Sequence, residues 1–194
     1  MITRRFNPNE ARVAVRFARD VYQYTFNPNF ESVVNRDYFL QYANEDSFEN
    51  QVINGQLTIF GTLNSVGEIV AVIAVDMYNY VTMLMVSPNY NNLGLGKNLL
   101  NMAEKFVKNR PGDGCIKINL TRMNLKNYFL GKRYLEVKNE TGVMYPFIRL
   151  YKPLNVTPNN VVYEKKEFNP AMFGVGTLIM FISIIFVAMC SVYL

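Results

Sequence analysis

Short runs of apolar residues, separated by polar turns, predict strands in the first part of the chain. The clearest runs are Leu57–Leu63, Glu68–Met77 and Val81–Val86, which have lengths typical of strands. Between the first two runs, Asn64–Gly67 contains Asn, Ser and Gly, the residues that favour tight turns. The pattern therefore predicts a β-hairpin followed by a third buried strand.

Other segments carry apolar residues three and four positions apart, which is the spacing of one face of a helix. Residues 8–24 and the segment that follows Gly96 show this spacing. The later elements are predicted as strands at Cys115–Thr121, Tyr134–Val137 and Phe147–Leu154, with a short helix at Arg122–Lys132. The order is therefore a strand, two helices, three strands, a helix, a strand, a helix and two strands.

A long uncharged run follows these elements. From Ala171 to Leu194 the chain contains no charged residue. About 20 apolar residues are enough to cross a bilayer as a helix, and this run is longer than an ordinary core helix. Residues 155–170 are polar and contain prolines, as linkers do. The sequence therefore predicts a domain at 1–154, a polar linker at 155–170 and a transmembrane helix at 171–194.

The flanks of the predicted span indicate its orientation. Lys165 and Lys166 lie shortly before the span, and no charged residue follows it. Basic residues next to a span favour the cytoplasmic side of a membrane. The N-terminal residues include Arg4 and Arg5 and no apolar stretch, so no signal peptide is expected. We therefore expect a single-pass membrane protein, anchored at its C-terminus, whose domain faces the cytosol.

Composition narrows the possible chemistry. The chain has no histidine and two cysteines, of which Cys115 lies in a predicted strand and Cys190 in the predicted span. Neither a disulfide framework nor a metal site is therefore expected. The net charge of +5 is modest, and Arg12, Arg16 and Arg19 recur at helical spacing as on a solvated helix face. A nucleic-acid partner is not expected.

The most informative segment joins the third buried strand to the helix after it. It reads VSPNYNNLGLGK from Val86 to Lys97, a short polar loop with two glycines. Glycine lets a backbone approach a ligand closely, and the free amides at a helix N-terminus attract anions. The segment therefore predicts a site for a phosphate or pyrophosphate group.

Two common phosphate motifs do not fit this loop. A P-loop needs a glycine where Asn91 stands and a Ser or Thr where Asn98 stands. A dinucleotide fingerprint needs a third glycine where Leu99 stands. The loop instead resembles the pyrophosphate-binding segment of the GNAT superfamily of acyl-CoA-dependent N-acyltransferases. The matching positions are Val86, Pro88, Tyr90, Gly94, Gly96 and Lys97. Asn91 departs from the family, which usually has Arg or Gln there.

The order of the predicted elements is also that of the GNAT family, and the resemblance covers roughly residues 1–154. It implies an α/β (α+β) fold with a mixed, mainly antiparallel central sheet flanked by helices. It also implies acetyl-CoA as the acyl donor. In the family the pantetheine arm of the cofactor pairs with the backbone of the strand before the loop, and a bulge there presents an amide to the thioester oxygen. By position those backbone groups fall at Met85 and Val86. The cofactor-binding residues implied are Met85, Val86, Asn91, Asn92, Leu93, Gly94, Leu95, Gly96, Lys97, Asn124 and Phe129.

Moving an acetyl group from a thioester to an amine requires a base for the amine and a proton donor for the departing thiolate. Many family members carry a Glu on the strand before the loop, but this chain has no carboxylate there. The candidates for the base are Asp76, Glu68 and a water held by Tyr80.

The resemblance places the proton donor on the predicted helix Arg122–Lys132. The family often has Asn-x-x-Ala-x-x-x-Tyr there, followed by Gly-Phe, and Asn124 and the pair Arg133-Tyr134 resemble the Asn and the Gly-Phe. Aligned back from Tyr134, the expected tyrosine falls on Phe129, which has no hydroxyl. The neighbouring Tyr128 is therefore the candidate acid, and Tyr128, Tyr80 and Asp76 are the candidate catalytic residues.

These observations favour a membrane-anchored N-acetyltransferase that transfers an acetyl group from acetyl-CoA to an amine of a protein or peptide rather than of a small molecule. The alternative is a catalytically silent GNAT-fold protein that serves as a CoA-binding or structural membrane component. The missing Glu, the phenylalanine at 129 and the asparagine at 91 favour this alternative.

Overall fold

The computed structural model describes residues 1–141, 147–154 and 186–188. The strands are β1 (Ile2–Arg5), β2 (Leu57–Leu63), β3 (Ile69–Asp76), β4 (Val81–Val86), β5 (Cys115–Leu120), β6 (Leu135–Thr141), β7 (Ile148–Pro153) and β8 (Phe186–Ala188). The helices are α1 (Pro8–Thr25), α2 (Val33–Tyr42), α3 (Glu45–Ile53), α4 (Leu95–Lys108) and α5 (Lys126–Gly131). Two 3₁₀ turns, Pro88–Tyr90 and Met123–Leu125, precede α4 and α5.

The strands form two sheets that meet at one point. The first has the order β1-β2-β3-β4-β8, antiparallel except for the last pair, and the second has the antiparallel order β5-β7-β6. An isolated parallel bridge between Tyr80 and Lys117 joins them, and the amide of Lys117 donates to the carbonyl of Asn79 at 2.9 Å. Within the described residues β4 and β5 share no other pairing, so the two strands part beyond this bridge. In the cleft between them, β8 pairs with β4 and contacts β5.

Helices cover both faces of the first sheet because its inner strands are apolar on both sides. Helices α1–α3 pack on one face against residues such as Ile59, Val72 and Met83. Helix α4 covers the other face against Ile73 and Leu84, together with residues of β5 and α5. The mixed α/β, mainly antiparallel architecture is the one the sequence predicts.

Two predicted elements differ in detail. The second predicted helix, placed with its flanks around Tyr38 to Phe48, is two helices. A new helix, α3, starts there because the side chain of Asn44 caps it by accepting from the Ser47 amide at 3.0 Å. The predicted helix Arg122–Lys132 begins as a 3₁₀ turn, and α5 covers only its second half. By contrast, the predicted bounds of β2 and β4 agree with the structure.

The predicted linker at 155–170 and most of the predicted transmembrane helix at 171–194 lie outside the described residues. Phe186–Ala188, within the predicted span, form a strand parallel to β4 rather than part of a helix. A short apolar run with aromatic and β-branched residues suits a buried strand as well as a helix, so its composition does not separate the two. No helix among the described residues is long and apolar enough to cross a membrane.

Candidate active site

Strand β4 carries a bulge where it borders the cleft. Met83 pairs with Ala74 and Val81 pairs with Val75, so the register skips Thr82. A bulge adds one residue to a strand and turns the neighbouring backbone groups away from the regular ladder. The family resemblance places this bulge further along the strand, at Met85 and Val86, and no glycine or proline in β4 marks its position.

The strand edge predicted to hold the pantetheine arm is paired in the structure. Met83, Leu84 and Met85 pair with Phe186, Val187 and Ala188 of β8. On its other side, Met85 pairs with Val72 of β3. An arm that used the backbone of β4 in the predicted way would therefore take the place of β8.

The loop between β4 and α4 has the conformation of an anion site. Asn92 and Gly94 have φ values of 62° and 73°, and Gly94 is the N-cap of α4. The first backbone hydrogen bond of the helix runs from the Asn98 amide to the Gly94 carbonyl at 2.9 Å. The amides of residues 95–97 precede it and have no partner within the helix, so they are available to a ligand.

A cavity of about 280 Å³ lies beyond the carboxyl ends of β4 and β5. Asn91 and Asn124, both predicted to bind the cofactor, line the same cavity from the two sides of the cleft. The segment between α1 and α2 forms the remaining wall. The lining residues are Tyr24, Thr25, Phe26, Asn27, Phe30, Pro88, Asn91, Arg122 and Asn124.

Sequence reasoning missed the wall made by the α1–α2 segment. Three aromatic residues, Tyr24, Phe26 and Phe30, lie around the Phe-Asn-Pro-Asn turn at residues 26–29. The turn is visible in the sequence, but its contact with residues a hundred positions away is not. A concave site lined by aromatic side chains and a few polar groups is typical of a binding pocket.

A buried ion pair at the same place was also missed. Glu31 and Arg122 have side chains that are only 1% and 4% exposed, and Arg122 Nη2 lies 3.2 Å from Glu31 Oε2. The Thr121 hydroxyl lies 2.9 Å from Glu31 Oε1. Arg122 Nη2 also donates to the Thr25 carbonyl at 3.4 Å. One side chain just after β5, that of Arg122, thus contacts both ends of the segment between α1 and α2.

The candidate acid Tyr128 packs beside the core under α4 rather than in the cavity wall. Its hydroxyl is buried and has no hydrogen-bond partner among the described residues. Burial, with the charge of Glu104, raises the pKa of this phenol above its ordinary value. The side chain of Phe129 is 0% exposed and packs edge-on between the rings of Tyr128 and Tyr134.

The candidates for the base serve structural roles. Asp76 Oδ1 accepts the amides of Tyr78 and Tyr80 at 2.9 and 2.8 Å, which closes the turn between β3 and β4. Glu68 accepts from the Asn64 side chain at 2.8 Å in the β2–β3 turn.

The third candidate, Tyr80, has its ring beside two cations. Lys117 Nζ lies 5.5 Å and the Arg149 guanidinium 5.9 Å from the ring centroid. Tyr80 and Tyr128 both pack against the core under α4. Asp76 instead lies near Tyr42 of α2, where burial of the phenol and then the charge of Asp76 raise the pKa of Tyr42. The structure therefore does not bring the three predicted catalytic side chains together.

The parallel strands β4 and β5 part beyond their bridge, and the glycine loop after β4 leads into the N-terminus of α4. This arrangement defines a site for a ligand with phosphate groups. Residues 20–140 match the family model described as an acetyltransferase (GNAT) domain, a match over more than half of the chain. The chain therefore belongs to the GNAT acetyltransferase family. A search of curated proteins found no significant match.

Solved structures have the same fold. A GCN5-related N-acetyltransferase from Rhodopseudomonas palustris is 16% identical with a TM-score of 0.64, over 79% of this chain and 95% of that one. The PaiA N-acetyltransferase from Thermoplasma acidophilum, in complex with coenzyme A, is 15% identical with a TM-score of 0.61, over 78% and 98%. NAA60 from Arabidopsis thaliana, in complex with a bisubstrate analogue, is 15% identical with a TM-score of 0.52, over 77% and 94%. At these identities the likeness shows the fold.

Proposed function

We propose that this protein is a membrane-attached N-acetyltransferase that transfers an acetyl group from acetyl-CoA to an amine of a protein or peptide. The observation that carries the proposal is the cavity beside the glycine loop, because Asn91 and Asn124 line it from opposite sides of the cleft. Membership of the GNAT family supports the reaction type.

The residues present fit the phosphate groups of acetyl-CoA. The amides of residues 95–97 lie at the N-terminus of a helix of 14 residues, where anions are stabilised. Lys97 is exposed on the first turn and supplies a positive charge. Asn91 and Asn124 offer side-chain amide groups to the amides of the pantetheine arm of acetyl-CoA. Acetyl-CoA supplies the activated acyl group, and these residues hold it.

The acceptor amine would enter through the aromatic wall of the cavity. Tyr24 and Phe30 are exposed, and Phe26 is half-buried, so the wall offers apolar and π surface next to the cofactor residues. Aromatic faces attract an ammonium group before it loses its proton. An open wall is compatible with a chain end or side chain of a protein, and the NAA60 complex with a bisubstrate analogue has the same fold.

We assign the proton donor for the thiolate to Tyr128 and the acceptance of the amine proton to a water beside Tyr80. The hydroxyl of Tyr128 has no hydrogen-bond partner among the described residues, and a phenol carries its proton at neutral pH, as a proton donor requires. Asp76 keeps its role in the β3–β4 turn, where one carboxylate oxygen accepts two backbone amides.

The proposed membrane anchor is Ala171–Leu194, with the domain on the cytosolic side. Its uncharged composition and the preceding Lys165 and Lys166 support this arrangement. Insertion of this segment into a bilayer would also withdraw Phe186–Ala188 from β4 and free the strand edge that the pantetheine arm needs.

Extraction from membranes tests the anchor. The full chain should resist alkaline carbonate and dissolve only with detergent. The double variant Met180→Lys/Ile184→Lys should be released by carbonate, because each charge in the bilayer centre costs about 2.5–3.5 kcal/mol. Release of the unaltered chain by carbonate would contradict the anchor.

Thiol release tests the proposed reaction. The full chain in detergent would be incubated with acetyl-CoA and with N-terminal peptides, lysine peptides or polyamines. We expect thiol release with a peptide acceptor and none without an acceptor. Release only with polyamines would contradict the peptide assignment, and no release with any of them would contradict transfer.

The alternative function is a catalytically silent protein that binds CoA. It is favoured by the full burial of Phe129 and by the position of Tyr128 outside the cavity wall. Saturable acetyl-CoA binding without thiol release from any acceptor would support it.

A further inference from the structure

The buried pair Glu31–Arg122 is more than a contact between two charges. The Glu31 carboxylate accepts from the Thr121 hydroxyl through one oxygen and from Arg122 through the other. It also raises the pKa of the Tyr22 phenol, after burial, through its charge and a hydrogen bond. Groups from α1 and from the end of β5 therefore converge on this one carboxylate.

The position of these contacts along the chain is informative. Arg122 Nη2 donates to Thr25, the last residue of α1, and to Glu31, just before α2. The residues between these two attachments include Phe26, Asn27 and Phe30, which line the cavity. One guanidinium thus clamps both ends of the segment that forms the aromatic wall.

Stability alone does not explain such a pair. Removing two charges from water is costly, and a buried ion pair is often no more stable than well-packed apolar residues of similar size. The pair instead fixes the geometry of the segment, because Nη2 of the planar Arg122 guanidinium donates both to the Thr25 carbonyl and to the Glu31 carboxylate. In this fold the two partners are the two ends of the cavity wall.

We propose that Glu31 and Arg122 are positioning residues that hold the α1–α2 segment as the acceptor wall of the cavity. The clamp itself follows from the contacts, whereas the identity of the molecule in the cavity rests on the proposed function. Losing the clamp should loosen the wall, and it should weaken acceptor binding more than it slows the reaction of bound acceptor.

The absence of tryptophan from the sequence allows a direct test. Phe30 lies in the wall and is 43% exposed, so Phe30→Trp places a single tryptophan, which can be excited selectively over the tyrosines, next to the clamp. Acrylamide quenching of Trp fluorescence then reports how accessible the wall is. All measurements use the full chain in detergent, at the same interval below the melting temperature of each variant, and without acetyl-CoA.

Two variants in the Phe30→Trp background separate positioning from stability. Glu31→Gln leaves the buried Arg122 without its countercharge, and we expect the melting temperature to fall by roughly 10 °C. The double variant Glu31→Gln/Arg122→Met removes both charges, and we expect most of that loss to be recovered. In both variants we expect the quenching constant to rise about twofold, because the clamp is absent in each.

The control is Glu45→Gln, which removes the ion pairs of Glu45 in α3 with Arg12 and Arg16 of α1, none of which line the cavity. It should leave the quenching constant unchanged. The positioning role would be overturned if the quenching constant of the double variant equalled that of Phe30→Trp alone. It would also be overturned if the constant rose in neither variant.

Two further readouts separate this proposal from the proposed function. Acetyl-CoA added to the Phe30→Trp variant should lower the quenching constant. A quenching constant that acetyl-CoA does not change would contradict the proposed position of the cofactor, but it would leave the clamp untouched. With the best peptide acceptor, Glu31→Gln/Arg122→Met should raise the acceptor KM about tenfold while kcat changes less than about twofold. An equal fall in kcat with KM unchanged would contradict the assignment of this wall to the acceptor.

Discussion

At the scale of single residues, Arg133 has a backbone conformation that suits glycine. Its φ is 67°, just after the end of α5. Its amide donates to the Leu130 carbonyl at 3.0 Å, and the Tyr134 amide donates to the Phe129 carbonyl at 3.1 Å. This is the Schellman pattern of a helix end, in which the left-handed position is usually glycine. The sequence comparison with the family also places Gly at this position.

Arg133→Gly should therefore stabilise the protein. A side chain in the left-handed region costs about 1–2 kcal/mol, part of which the flexible glycine loses again in the unfolded chain. We expect the free energy of unfolding to rise by about 0.5–1 kcal/mol in denaturant titration. The neighbouring Lys132 has a φ of −91°, so Lys132→Gly serves as the control and should destabilise. Equal effects of the two changes would refute this assignment of strain.

Tyr134 should make the stability fall at alkaline pH. Its hydroxyl lies 3.1 Å from Glu104 Oε1, and burial, followed by that carboxylate, raises the pKa of the phenol well above 10.0. A group whose pKa is higher in the folded state stabilises fully below its unfolded pKa. That contribution is lost as the pH rises from about 10 towards the folded pKa.

Denaturant titrations between about pH 8 and 11 measure this loss. Tyr134→Phe should be less stable than the unaltered chain at the lower pH by about 1 kcal/mol, because a hydrogen bond is missing. Above pH 10, however, the free energy of unfolding should fall less steeply with pH in Tyr134→Phe than in the unaltered chain. The two slopes should differ by up to about 1.4 kcal/mol per pH unit. Parallel curves for the two proteins would show that Tyr134 does not carry the effect.

At the scale of elements, the start of α4 is the place where a substitution tests acetyl-CoA binding most sharply. Gly94 has a φ of 73°, and the three amides after it have no partner within the helix. A carboxylate placed there would repel the phosphate groups that the helix N-terminus attracts.

Gly94→Glu should weaken acetyl-CoA binding at least about tenfold, a loss of about 1.4 kcal/mol in binding free energy. Gly67→Glu is a matched control, because Gly67 has a φ of 86° in the β2–β3 turn and likewise has no atom within 4 Å of an added Cβ. Both variants carry the same backbone strain, so both should lose stability, but the control should keep its affinity. Equal loss of affinity in the two variants would mean that the loop is misassigned.

The elements that local pattern determines were predictable. The apolar runs of β2 and β4 and the turn after β2 appear in the sequence as they do in the fold, and so does the glycine loop before α4. Their formation depends on neighbours within a few residues.

Features that depend on distant partners were not predictable. The bulge at Thr82 arises from the register against β3, and the clamp joins Glu31 to Arg122 across much of the chain. The β8 strand, likewise, exists only through its pairing with β4. Sequence spacing carries no signal for contacts of this kind.

At the scale of the whole molecule, two sheets joined by one bridge form a cleft whose mouth gathers the glycine loop, the residues after β5 and the α1–α2 wall. Family membership and the residues on this mouth both support the acetyl-CoA that we propose as the ligand. The catalytic side chains are less well defined, since Tyr128, Tyr80 and Asp76 are all absent from the lining of the cavity. Cofactor binding is therefore the central claim, and turnover depends on it.

Calorimetric titration of acetyl-CoA into the full chain, reconstituted in lipid nanodiscs, tests this claim most directly. We predict saturable binding at one site per chain, with a dissociation constant in the range of about 1 μM to 1 mM that is usual for enzyme substrates. No saturable heat with acetyl-CoA at several times the upper end of that range would contradict it.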